Sequence, residues 1–118
     1  MEHETQKFSK YKADRMFRLG YKLAFENGTK IKNWDDIFNL WFCSATNGHI
    51  RAQFYLATCY DNGLGTDKDL ELAFEWYLKS AKGGHRDAQY NVGFFYSTGE
   101  LGNKDDKKKV FWYSKSAK

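Results

Sequence analysis

Proline is absent from the chain, so nothing in it removes a backbone donor from the interior of a helix, and any break must be made by glycine instead. Ten glycines are available for that purpose. Cysteine is nearly as scarce. Cys43 and Cys59 are the whole supply, too few and too irregularly placed for a recurring disulfide, so reduced thiols in a cytoplasmic compartment are expected. No stretch approaches the roughly 20 apolar residues of a membrane span, and the opening MEHETQKFSK lacks the apolar centre of a secretion signal. The expectation is a soluble, untargeted chain with no membrane partner. A dominant charge is missing too: 19 Lys and Arg face 15 Asp and Glu, interspersed, for a net +4. The one dense basic run, Lys107-Lys108-Lys109, follows directly on Asp105 and Asp106, which is narrower than the basic stripe of a nucleic-acid protein. No nucleic-acid partner is expected.

Ring surface, by contrast, is plentiful. The 118 residues include 10 Phe, 8 Tyr and 4 Trp, enough to exclude a disordered chain and to supply the core of one domain spanning 1–118. These rings recur in order. AQFYLATCYDNG beginning at Ala52 aligns with AQYNVGFFYSTG beginning at Ala88, and FEWYLKSAK aligns with VFWYSKSAK. Ala52 falls on Ala88, Tyr60 on Tyr96, Gly63 on Gly99 and Trp76 on Trp112, each 36 residues apart. A fixed period of this length marks a stacked repeat array.

Three units follow. Residues 12–48 form a degenerate first repeat: Met16, Leu19, Gly20 and Leu23 make one apolar helix face, Asn27-Gly28 ends it, and Thr29 to Lys32 form a loop. Asn33 then caps a second helix that Asp35 and Asp36 favour at its positive end, with Ile37, Leu40, Trp41, Ser44 and Ala45 on its packed face. Residues 52–84 form the second repeat, with Ala52, Leu56, Ala57 and Tyr60 on its first helix, a Gly63-Leu64-Gly65 turn, Asp69 as cap, and Ala73, Trp76, Tyr77, Ser80 and Ala81 on the returning helix. Residues 88–118 form the third, with Ala88, Val92, Gly93 and Tyr96, then a last helix from about Asp106 that has no polar capping helix after it. Gly20 is one residue out of step with the 36-residue ladder, which places a one-residue insertion before the second helix of the first unit. Small residues at Gly20, Ala57 and Gly93, and at Ala45, Ala81 and Ala117, are where helices should touch.

The set Ala52, Leu56, Tyr60, Gly63, Gly65, Asp69, Ala73, Trp76-Tyr77, Ala81, Gly84 and Ala88-Gln89 resembles the Sel1-like repeat, a relative of the tetratricopeptide repeat. The resemblance implies an all-α fold: an α-solenoid of antiparallel helix pairs, about three repeats in a right-handed superhelix. It implies a non-catalytic scaffold or adaptor that binds a partner protein or peptide on a concave face lined by the first, or A, helix of each repeat. That face would consist of Asp14, Phe17, Tyr21 and Phe25, then Arg51, Phe54, Thr58 and Asn62, then Asp87, Tyr90, Phe94 and Thr98. Its rings would form an aromatic trough for an extended or helical peptide. The third repeat departs from the family pattern, with Lys109 in place of the usual alanine and its turn glycine displaced to Gly102, so looser packing is expected there. An alternative is a self-assembling module whose open ends, including Val110-Phe111-Trp112-Tyr113, stack copies head to tail or continue a longer array. A hydrolase is the least favoured reading.

The remaining motifs read as structural. His49 and His85 recur just after a helix-ending glycine, where they suit exposed carbonyls better than a metal, since no Cys or Glu ligand lies at metal-like spacing. The Gly63-Leu64-Gly65 turn lacks the lysine-serine or lysine-threonine pair of a phosphate loop. Asp67, Asp69 and Glu71 make a solvated helix entrance. No nucleophile has a positioned base, and no cofactor is implied.

Overall fold

The computed structural model describes residues 2–26, 28 and 31–118, with side chains from Lys10 onward. Asn27, Thr29 and Lys30, read above as a helix end and loop, lie outside the described residues. Among the described residues every regular element is helical: α1 (Glu2–Tyr21), which passes into a π-helical segment (Lys22–Glu26), α2 (Trp34–Thr46), α3 (Ile50–Asn62), α4 (Leu70–Lys82), α5 (Arg86–Thr98) and α6 (Asp106–Ala117). Helices α1, α3 and α5 are the A helices, and α2, α4 and α6 return as their B partners. Each helix packs chiefly on its sequence neighbours, the arrangement of a solenoid. The helix α1 begins ten residues earlier than the apolar pattern requires, because no glycine or proline interrupts the polar residues that precede it.

Side-chain caps start the helices. Asn33, Asp69 and Asp105 accept the backbone N–H of Asp36, Leu72 and Lys108 at 3.2, 3.0 and 3.0 Å. The histidines do more than the sequence reading gave them. Their backbone N–H groups serve the preceding helix, donating to Ser44 and Ser80 carbonyls at 3.2 and 3.1 Å, and their side chains are N-caps of the next, the Nδ1 atoms accepting from Ala52 and Ala88 N–H at 3.1 and 3.2 Å. A ring nitrogen does there what an aspartate oxygen does at the B helices.

The repeat is reproduced atom for atom in places. Within each pair a B-helix serine donates to an A-helix carbonyl: Ser44 to Ala13 at 2.6 Å, Ser80 to Ile50 at 2.8 Å and Ser116 to Arg86 at 3.1 Å. Between pairs, Gln53 and Gln89 donate to the carbonyls of Ala45 and Ala81 at 3.3 and 3.2 Å. Phe38 meets Tyr60 edge-on at 5.5 Å and 89°, and Phe74 meets Tyr96 at 5.5 Å and 87°. The serine bonds span 31 residues in the first unit and 30 in the other two, which locates one extra residue between Ala13 and Ser44. The π-helical segment lies in that interval, and its wider hydrogen-bonded turn accommodates an inserted residue.

The small-residue positions meet rings. A Cβ on Gly20 would stand 2.6 Å from the Trp41 ring, and one on Gly93 would stand 2.5 Å from the Tyr113 ring. Gly65, at φ +72°, adopts the left-handed region and lies against the Trp34 carbonyl, leaving no space for a side chain. The core runs through Phe17, Ile37, Trp41, Leu56, Tyr77 and Val92. Tyr77 rather than Trp76 is the buried ring of α4: Tyr77 is 2% exposed, whereas Trp76 is half-buried under the Lys79 ammonium, 4.4 Å from its centroid. Trp112 alone is buried on α6, against four such residues on α4, although α6 packs on α5 at least as extensively as α4 does on α3.

Candidate functional site

The structure groups most of the expected contact residues of the A helices into two clusters. The first surrounds Phe17. That ring is a correction to the expected surface: it is 2% exposed, stacked on His49 at 4.7 Å and covered by the Arg51 guanidinium at 4.9 Å. Arg51 also lies 5.6 Å from the Tyr21 ring. Tyr21 is half-buried and touches Phe25 at 4.8 Å, while Phe25 remains 53% exposed. Tyr55, which the sequence pattern did not mark, sits at the centre of this group, within 5.2 to 5.8 Å of Trp41, Phe17, Tyr21, Phe25 and Phe54.

Phe54 repeats the environment of Phe17. It stacks on His85 at 4.6 Å and 20°, so each histidine caps its own helix through Nδ1 and lays its ring on the phenylalanine of the preceding A helix. With Nδ1 accepting the Ala52 N–H, His49 donates through Nε2 to Asp14 Oδ1 at 3.1 Å, and Asp14 also holds Arg18 at 2.9 Å. At His85 the position corresponding to Asp14 is Arg51. Burial chiefly, with the positive charge of Arg51, holds the His85 imidazole below its ordinary pKa, against the opposing pull of Asp87.

The second cluster is on α5. Tyr90 and Phe94 are 55% and 47% exposed and line an open cleft of about 690 Å³ together with Asp61, Lys68, Asn91 and Glu100. Asp61 is fixed there by the Tyr77 hydroxyl, which donates to its Oδ2 at 3.1 Å. Asp61, Lys68 and Glu100 were not singled out from sequence: Asp61 lies at the end of α3 and Lys68 in the turn after it, so both reach α5 only in the folded stack, and Glu100 lies in the turn that follows α5. Of the other expected residues, Thr58 and Asn62 spend their donors on the carbonyls of Tyr55 and Thr58 within α3. Thr98 accepts the Glu100 N–H at 3.4 Å, and Asp87 is exposed in the first turn of α5.

Cys59 is fully buried, and that burial pushes its thiol up to about 12, far from a thiolate at neutral pH. Among the described residues no three His, Cys, Asp or Glu side chains converge as metal ligands would. No described helix is long and apolar enough to cross a membrane.

With the geometry in place, comparison with known proteins is decisive for the family. The Sel1 repeat family model matches residues 16–36, 50–85 and 86–118. The chain is a member of the Sel1 repeat family. Two solved relatives share its fold. A Sel1 repeat protein from Oxalobacter formigenes superposes with a TM-score of 0.82 at 30% identity over 89% of this chain. A protective antigen present in uropathogenic Escherichia coli strains, displaying an SLR fold, superposes with a TM-score of 0.81 at 29% identity over 98% of this chain. The Sel1-repeat chain spans 42% and 25% of the lengths of those two proteins. No curated protein matches it. Sel1-repeat proteins are generally protein-interaction scaffolds and generally non-catalytic.

Proposed function

We propose that this Sel1-repeat chain is a non-catalytic scaffold that holds a partner protein or peptide on the face made by α1, α3 and α5. The observation that carries the reading is the open cleft on α5, where two rings on successive helical turns stand about half exposed beside fixed polar groups. Exposed aromatics next to anchored polar atoms are the composition of binding hot spots. Phe25 extends the surface across the first repeat, while Phe17 contributes from beneath by fixing Arg51.

The test is a pull-down with the intact chain against a Tyr90→Ala/Phe94→Ala variant, with Phe111→Ser on α6 as the control for general stickiness. Partners recovered by the intact chain and the control, and lost by the double variant, are expected. Recovery of the same proteins by all three would sink the assignment of the surface.

The alternative of head-to-tail assembly draws on Val110 and Phe111, 58% and 51% exposed on α6. Charge opposes it. From Lys10 onward helix α1 carries four basic residues and one acidic, and α6 likewise carries four basic and one acidic, so apposed ends repel. Sedimentation over a range of concentrations distinguishes the readings, since stacking would give a ladder of sizes.

A further inference from the structure

Resting on the reading of the A-helix face as the binding surface, we infer that the α5 cleft receives an arginine side chain of the partner, its guanidinium lying on Tyr90 and Phe94 and paired with Asp61 and Glu100. The chain contains its own example of such a seat. With the extra residue of the first unit counted, Phe17 and Tyr21 on α1 occupy the repeat positions of Tyr90 and Phe94 on α5. On the first pair the guanidinium of Arg51 lies at 4.9 and 5.6 Å from the two centroids, within the range of a cation–π contact. The same four A-helix positions line both places: Phe17, Arg18, Tyr21 and Lys22 around Arg51, and Tyr90, Asn91, Phe94 and Phe95 in the α5 cleft.

What differs is the flanking element and the surrounding charge: Arg51 reaches its rings from the following A helix, whereas the α5 cleft is walled by Asp61 and Lys68 of the preceding repeat. Around Arg51 the neighbouring A-helix residues are the cations Arg18 and Lys22, with Glu26 opposing them. In the α5 cleft those two positions are neutral, and the flanking groups are the carboxylates Asp61 and Glu100 against the single ammonium of Lys68. The cleft is thus net negative and lacks a guanidinium of its own. Asp61 is already oriented by Tyr77 and keeps a second carboxylate oxygen for a fork-shaped donor. Lysine fits less well, because a compact ammonium neither stacks flat on a ring nor donates in parallel to a carboxylate.

The inference is tested by selecting short random peptides on the immobilised full chain, then titrating the enriched peptides and their Arg→Lys and Arg→citrulline forms. Enriched peptides carrying arginine are expected, with citrulline weakening binding by about tenfold or more, and with Tyr90→Leu and Glu100→Gln each weakening it by about tenfold. Both variants alter exposed side chains, and circular dichroism verifies that each remains folded. Enrichment of arginine-free peptides whose binding is still lost on Tyr90→Leu would overturn the arginine seat and leave the binding face standing. Arginine peptides indifferent to Tyr90→Leu and Glu100→Gln would overturn its location. Absence of any enriched peptide would count against both the seat and the scaffold reading beneath it.

Discussion

Replacing Gly20 by alanine adds one methyl group at the most confined point of the first repeat. Two effects oppose each other. Alanine in a helix interior is favoured over glycine by about 1 kcal/mol, but its Cβ would stand 2.6 Å from Trp41 Nε1 and 2.8 Å from Cδ1, well inside van der Waals contact. Trp41 is 1% exposed and surrounded by the core, so the ring has nowhere to go, and overpacking of this kind costs about 1–3 kcal/mol. The net expectation is a loss of up to about 2 kcal/mol, or up to roughly 8 °C in Tm. Gly93→Ala is the comparison. Its Cβ meets the Tyr113 ring at 2.5 Å, but Tyr113 is only half-buried on the last helix and can swing aside, so the two effects should nearly cancel. Urea unfolding gives both values, with an unchanged m showing that stability and not compactness has altered. The Trp41→Phe background completes the cycle: the smaller ring gives room, and it removes an indole N–H that has no partner among the described residues. Gly20→Ala should there become neutral or stabilising. Equal stabilisation by Gly20→Ala and Gly93→Ala in the unmodified chain would refute the claim that these contacts set the helix spacing.

Two further expectations concern the caps and the serine bonds. Unfolded His85 protonates near 6.5, whereas in the fold its pKa is lowered; the unfolded state therefore binds more protons as pH falls through 6.5, and stability is present above that value and declines below it. Protonation also consumes the Nδ1 acceptor of the cap, so His85→Asn, a cap that does not titrate, should flatten the decline in a denaturation series from pH 7.5 to 5. Retention of the full decline in the variant would assign it elsewhere. Ser44→Ala and Ser80→Ala should each cost about 1 kcal/mol, and Ser116→Ala clearly less because its bond is exposed; thermal unfolding reads the order, and an equal cost at all three positions would contradict it.

The 36-residue step was enough to place the helices, because each repeat carries its own caps and breaks: Asn33, Asp69 and Asp105 begin the B helices where an oxygen can accept an N–H, and Gly63 and Gly99 end A helices with φ of 68°. Packing faces were legible for the same reason, as Ala52, Leu56 and Ala57 recur at helical spacing and are all fully buried. Phe17 was not legible. Its spacing equals that of Tyr90, yet its exposure depends on His49 and Arg51 arriving from the next repeat, and no pattern within α1 encodes their arrival. The capping role of the two histidines was hidden similarly: their backbone N–H groups serve the preceding helix, as a residue just past its end should, but only the fold turns their rings toward the start of the next.

The amino-acid order by itself determined a ladder of helix pairs and their register, because local caps and apolar periodicity act over a few residues. Tertiary structure alone decided which rings remain free, since that depends on residues 30 or more positions away. Asp61 and Glu100, separated by a full repeat in the chain, line the same cleft beside Tyr90; stacking one unit on the next is what brings them there.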